Sequence, residues 1–353
     1  MDFFNVFKIA CIFIGTVVGA GLASGKEIYQ FFSIYGTKSF IGLIVCFVMY
    51  IVIGNMICNI SNKKNLSSYN LLINEICPKV PGKILNIFTG LYYLFSSSII
   101  FAASGSIINQ FFSIHKIYGI ILMILVTLIV MKFSMKGLSV LNSISVPLMI
   151  SVIFIMFILF ELFSDPINVQ TNVNEVIQKE IRFHNNIILS SFLYGGFNIL
   201  SATGILAPLS VENSKKNFKM GIFLGSFFLV FISIIINYLI LANMPYIAKY
   251  DIPLLYVSKI FGRGLQILIL VLIWIEMLST ETSSVYSLAK SLSLKYNFSI
   301  FKCVLIILSI SIPISILGFS KLIGILYPFF GFLSFIFMFY IIKYSIKNKN
   351  SLE

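Results

Sequence analysis

Continuous apolar runs, separated by short polar clusters, occupy most of the chain. Stretches such as residues 120–131 and 152–160 show no polar alternation, so they are not the strands of an outer-membrane barrel. A helix needs about 20 apolar residues to cross a bilayer. Read between their breakers, the runs predict helical spans near residues 6–34, 40–60, 84–112, 117–131 and 140–163. A polar connection at 164–186 follows, with Asp165, Glu175, Glu180 and Arg182. Further spans are expected near 187–209, 218–241, 264–289, 300–317 and 322–342, with a short amphipathic piece at 252–261. The expected fold is therefore an all-α polytopic membrane protein of ten helices, five before the polar connection and five after it. The units are residues 1–164, the external connection 165–186, residues 187–345 and a cytoplasmic tail at 346–353.

Composition agrees with this pattern. Of the 353 residues, 59% are hydrophobic and only 10% charged, against roughly 45–50% and 25% in soluble domains. So few charges cannot solvate a globule of this size, which excludes a soluble enzyme, a secreted disulfide scaffold and a disordered chain. The net charge of +13 is not a nucleic-acid footprint, because the basic residues stand singly or in pairs at the ends of apolar runs. With the N-terminus inside, sixteen of the 25 Lys and Arg residues fall on the cytoplasmic side, including Lys63, Lys64, Lys215, Lys216 and Lys343. Both termini are expected in the cytoplasm of a cell-membrane protein. Lys8 and the apolar run after it imitate a signal peptide, but the apolar pattern resumes after Glu27, so this segment is read as a real first helix. The five cysteines form no CxxC pair, His115 and His184 are far apart, and packing explains the cysteines. No zinc, haem or other cofactor is expected.

Two spans carry clustered glycines. Gly15, Gly19, Gly21 and Gly25 interrupt span 1, and Gly195, Gly196 and Gly204 interrupt span 6. Each is the first helix of its half, and five spans per half place the halves in opposite orientations. Broken helices at matching positions of inverted halves point to a transporter's central site. Packing of neighbouring helices against glycine is the competing explanation. Ser24 and Glu27 form an S-x-x-E capping box, predicting a helix that stops near Val18 and restarts near Gly25. Backbone amides of the restarted helix would meet an anionic ligand group, and carbonyls of the first half a cation.

The stretch GTVVGAGLASGKEIYQFF, from Gly15 to Phe32, resembles the first helix of the YkvI-like family of bacterial membrane proteins. That family is similar to a branch of the amino acid–polyamine–organocation superfamily, whose LeuT-like five-plus-five inverted repeat has helices 1 and 6 broken. The resemblance implies that the carbonyls of Gly15 and Val18 are ligands of a sodium-type site. Leu22 stands where two-sodium members carry a polar ligand, so the resemblance implies at most one such site. Span 8 supplies hydroxyls for it: Glu276, Ser279 and Thr280 lie at i, i+3 and i+4 on one face. Adjacent hydroxyls on this span resemble the superfamily's cation-binding pattern, with Ser283 and Ser284 as an alternative register.

Glu27, Glu276 and Glu281 are acids within or beside apolar spans. An ionisable group at a helix centre costs about 2.5–3.5 kcal/mol on insertion scales and is presumed functional. Glu27 also has its capping explanation, whereas Glu276, near the middle of its span, has no neutralising partner in the sequence. The expected solute-binding residues are Gly19, Ala20, Gly21 and Ser24 of span 1 with Gly195, Gly196 and Asn198 of span 6. The expected coupling residues are Gly15, Val18, Glu276, Ser279 and Thr280, with Glu27, Glu281 and Tyr93 as further candidates. The implied function is a proton- or sodium-coupled symporter of an amino acid or similar small solute, working by alternating access. A germinant-receptor-like sensor subunit of the same superfamily is the alternative. No histidine or acid pair has the spacing of a catalytic set, so an enzyme is not expected. The expected partners are the lipid bilayer and the solute.

Overall fold

The computed structural model describes residues 2–132, 134–163, 186–250 and 252–348. The connection expected at 165–186 lies outside the described residues except for Asn186, as do His184 and the chain's last five residues. Every described regular element is a helix. The first apolar run becomes three pieces: α1 (Phe3–Val17), α2 (Ala20–Ser24) and α3 (Lys26–Phe31), followed by a 3₁₀ turn at Ser33–Lys38. Next come α4 (Ser39–Lys64), α5 (Tyr69–Ile76), α6 (Lys79–Phe112), α7 (Lys116–Met131) and α8 (Ser134–Phe163). The second part contains α9 (Ile187–Glu212), α10 (Lys215–Ala242), α11 (Pro253–Lys259), α12 (Arg263–Tyr296), α13 (Ile300–Ser315) and α14 (Phe319–Lys347). Among the described residues seven helical segments are long and apolar enough to cross a membrane, and α1, α7 and α13 are shorter apolar helices.

Polar caps set many of these boundaries. Asp2, Ser68, Asn186, Ser214 and Ser299 each accept a backbone N–H from the first turn of the following helix. Asn65, Ser113 and Asn297 end α4, α6 and α12 in left-handed geometry.

The helix expected to be broken in the second half runs unbroken from Ile187 to Glu212. Its glycines are places of close approach. A Cβ on Gly195 would meet the Met49 thioether at 3.2 Å, and one on Gly196 would lie 2.7 Å from Met338 Cε. At Gly204 a side chain from α6 meets the helix backbone. The Tyr93 hydroxyl lies 2.9 Å from the Gly204 amide, which donates to it, and 3.0 Å from the Ser201 carbonyl, to which it donates. A side-chain hydroxyl is thus hydrogen-bonded to the backbone of α9.

Helix α9 is the centre of the bundle: 94% of its apolar window is buried. It packs against α4, α14, α1 and α12. Helix α1 lies beside it, flanked by α8, α10 and α12. A second junction joins α6, α7 and α12. Gly119 of α7 lies so close to Ser104 and Gly105 of α6 that a Cβ there would sit 2.9 Å from Gly105 Cα. Ser104 Oγ donates to the Gly119 carbonyl at 2.9 Å and accepts from Trp274 Nε1 of α12 at 2.8 Å. All five cysteines are buried and free.

Short α5 is tied down at Glu75. Its carboxylate accepts from the Tyr344 hydroxyl of α14 at 2.5 Å and lies 3.3 Å from Lys64 Nζ. The Tyr344 hydroxyl, and then Lys64, hold the Glu75 carboxyl below the usual carboxylate range. A depressed value makes this contact fully stabilising at neutral pH, and the gain disappears as pH falls through the folded value. Tyr344→Phe should therefore lower stability by about 1 kcal/mol or less, since the pair is partly exposed. Thermal unfolding of the two proteins should differ at neutral pH and converge only as pH falls through the lowered folded value of Glu75.

Candidate functional site

The break in the first span is where the sequence placed its beginning, between Val17 and Ala20. Val18 has ψ 81° and caps α1, and Gly19 is extended at φ −90°, ψ −166°. Helix geometry resumes at once, at Ala20, and is interrupted again at Gly25, whose φ of +83° suits glycine. The expected capping box does not form, and Gly25 takes the N-cap position of α3 without a side-chain cap. Ser24 Oγ accepts from the Lys26 amide at 3.2 Å and donates to the Gly21 carbonyl at 3.0 Å, while Glu27 turns into the protein.

Ending α1 early leaves its last carbonyls without amide partners. Two of them face α12. Ser279 Oγ lies 2.8 Å from the Gly15 carbonyl, and Thr280 Oγ1 lies 3.1 Å from it and 2.9 Å from the Val18 carbonyl. Asn142 Oδ1 of α8 is in close contact with Ser279 Oγ. Five oxygens thus converge while only two hydroxyl hydrogens are available to them. Such an oxygen-rich cluster suits a hard cation. Gly15 is required here by space, because a Cβ would sit 2.6 Å from the Asn142 carboxamide carbon. A Cβ on Gly19 would press on Thr280 Cγ2 at 3.2 Å.

Glu276 lies one turn before Ser279 on α12, fully buried, and neither carboxylate oxygen has a hydrogen-bond partner among the described residues. Ser145 of α8 and Cys11 of α1 are the groups that face it. Glu281 is equally buried and accepts from Ser97 Oγ of α6 at 2.6 Å, its other oxygen unpartnered. The alternative register forms a separate seam: Ser283 Oγ is 3.2 Å from Thr16 Oγ1, and Ser284 Oγ is 3.2 Å from Ser96 Oγ.

Between α1, α6, α9 and α14 lies a cavity of about 20 Å³ that touches Gly19, Ala20, Glu27, Asn198, Tyr92 and Tyr327. Thr280 lines it too, so the oxygen cluster and the cavity share a wall. Its volume holds about one water molecule, and the helices must part to admit anything larger. Of the expected solute-binding residues, Gly19, Ala20 and Asn198 reach this cavity. Gly195 and Gly196 instead face α4 and α14, and Ser24 bonds within its own turn. Gly21 lies against Glu27, whose carboxylate fills the place a Cβ would take. Tyr93 points into the α9 backbone, while its neighbour Tyr92 lines the cavity. Sequence reasoning missed Asn142, Phe197 and Tyr327. Only Asn142 carried a signal, as an amide in an apolar span.

No protein-family model matches the chain. It is 29% identical over 336 residues to the uncharacterized membrane protein YkvI of Bacillus subtilis (strain 168), covering 94% of this chain and 93% of that protein. Its fold matches a Na⁺-coupled sialic acid symporter in a substrate-bound outward-open state, with TM-score 0.71, 15% identity, and coverage of 95% of this chain and 78% of that one. It also matches MhsT in complex with L-phenylalanine, with TM-score 0.62, 14% identity, and coverage of 90% and 79%. The chain thus shares the helical fold of these membrane transporters, and its described helices include seven long and apolar enough to cross a membrane. In sequence the chain is similar, over nearly its whole length, to the membrane protein YkvI.

Proposed function

We propose that the protein is a cation-coupled symporter of an amino acid or similar small organic solute. The observation that carries this reading is the meeting of the Gly15 and Val18 carbonyls, freed by the break in α1, with Ser279 and Thr280 of α12. Cation binding there would hold α1 against α12. Glu276, next along the same helix, would carry a proton or add charge to a bound sodium. The fold match to a Na⁺-coupled symporter supports this coupling, and the match to a phenylalanine complex supports an amino compound as solute.

Ten crossings arranged as two inverted five-helix halves, residues 1–164 and 187–345, complete the reading. The basic residues put both termini in the cytoplasm, and the two halves alternate access around α1 and α9. Purified protein in liposomes, given a panel of radiolabelled solutes, tests it. Accumulation above the external concentration is expected only with an inward sodium or proton gradient, and an ionophore that collapses that gradient should abolish it. Uptake indifferent to both gradients for every solute moved would remove the proposal.

A further inference from the structure

Glu27 is 2% exposed, yet its carboxylate has no cationic partner among the described residues. The neighbouring Lys26 ammonium reaches away, to the Tyr250 carbonyl at 3.2 Å. Among the described residues Glu27 Oε2 has no hydrogen-bond partner within reach, and neither has the hydroxyl of Tyr194, which faces the carboxylate with that of Tyr327. A capping role does not account for a carboxylate turned inward. The cavity it enters is walled by the rings of Tyr92, Phe197 and Tyr327. Phe197 and Tyr327 have ring centroids 4.9 Å apart, and Tyr92 meets Phe197 edge-on at 5.9 Å. No Lys, Arg or His is among the described residues lining it.

Elementary electrostatics selects the ligand. A desolvated carboxylate without a counter-charge is costly, and the faces of aromatic rings attract cations. An acid would be repelled by Glu27 and would find no basic group. We propose that Glu27 and the rings of Tyr92, Phe197 and Tyr327 form the receptor for the ammonium group of a compact amine. The solute therefore carries a positive charge at this point, unlike the sialic acid named for the symporter of similar fold. This assignment rests on the cavity's being the transport site.

The test uses matched sets: phenethylamine, its N-acetyl derivative and 3-phenylpropionate, with propylamine, N-propylacetamide and butyrate as a smaller set. Binding to the purified protein is followed by thermal shift, and the same solutes are assayed for uptake in liposomes. The amines are expected to bind and the amides and acids to fail. Glu27→Gln should weaken amine binding at least tenfold. Because that variant could misfold, wild-type protein is also treated with dicyclohexylcarbodiimide and its modified carboxyls mapped by mass spectrometry. Amines should shield Glu27 and leave the labelling of Glu276 and Glu281 unchanged, and the amides should shield none of the three. Gradient-driven uptake of amides or acids, with no shielding of Glu27 by amines, would overturn the assignment while leaving the transport reading intact. Failure of every solute to bind or move would overturn both.

Discussion

Thr280→Ala is expected to weaken the response to sodium by about 10–100-fold or more, the scale on which lost support around a metal site is felt. The residue contributes one of the converging oxygens and touches both carbonyls released by α1. Thr280→Ser keeps the hydroxyl and should keep the response, which separates coordination from packing. Stability should also fall by about 1–3 kcal/mol, because the Val18 carbonyl loses its hydroxyl partner in a buried place. Sodium-dependent thermal shift measures the first effect and sodium-free unfolding the second. Glu276→Gln is the companion experiment. It preserves shape and removes charge, so solute should still bind and exchange across the membrane without being concentrated. Wild-type accumulation by Glu276→Gln, with unaltered sodium and pH dependence, would make that carboxylate structural. A sodium response in Thr280→Ala equal to that of the wild type would remove the cation site from α12.

Gly119→Ala should be among the most damaging single-methyl additions. The new carbon would collide with the Ser104 carbonyl and lie 2.8 Å from Ser104 C. Both are backbone atoms and cannot rotate aside, so α6 and α7 must separate. Overpacking of this kind costs about 1–3 kcal/mol, and separation also strains the Trp274–Ser104–Gly119 chain of hydrogen bonds. Gly264→Ala is the contrasting change, since nothing lies within 4 Å of its added carbon. It should be neutral or stabilise by up to about 1 kcal/mol through helix propensity. Melting temperatures measured in one detergent would rank the two. A Gly119→Ala protein as stable as Gly264→Ala would show that this crossing is not tight.

The break in α1 was legible because four glycines fall within eleven residues of an otherwise apolar run, and no lipid-facing helix needs that. The hydroxyl cluster on α12 was legible for a related reason: Glu276, Ser279 and Thr280 are conspicuous against an apolar background. The same reasoning misread α9, whose glycines also stand close together. Glycine in a membrane helix serves either a break or a close approach, and only the neighbours decide which. Met49, Ser334 and Ser287 decide it here. For Glu27 local spacing allows both a cap and a site, and the direction of its side chain depends on how α3 packs. The aromatic wall was invisible for a more general reason. Lipid and protein core are equally apolar, so hydropathy does not tell buried Phe197 from Phe339, 59% exposed.

The junction of α6, α7 and α12 also bears on spectroscopy. The chain contains one tryptophan, and that indole is the group on α12 that donates to Ser104. Trp274 stands two residues before Glu276 in the helix that carries the hydroxyl cluster. Loss of its hydrogen bond to Ser104 or wetting of its ring changes its emission, so fluorescence from the unmodified protein is a single-site optical gauge of where α12 stands against α6. Stopped-flow mixing with sodium or an amine, followed at that one wavelength, would time the motion without an attached dye.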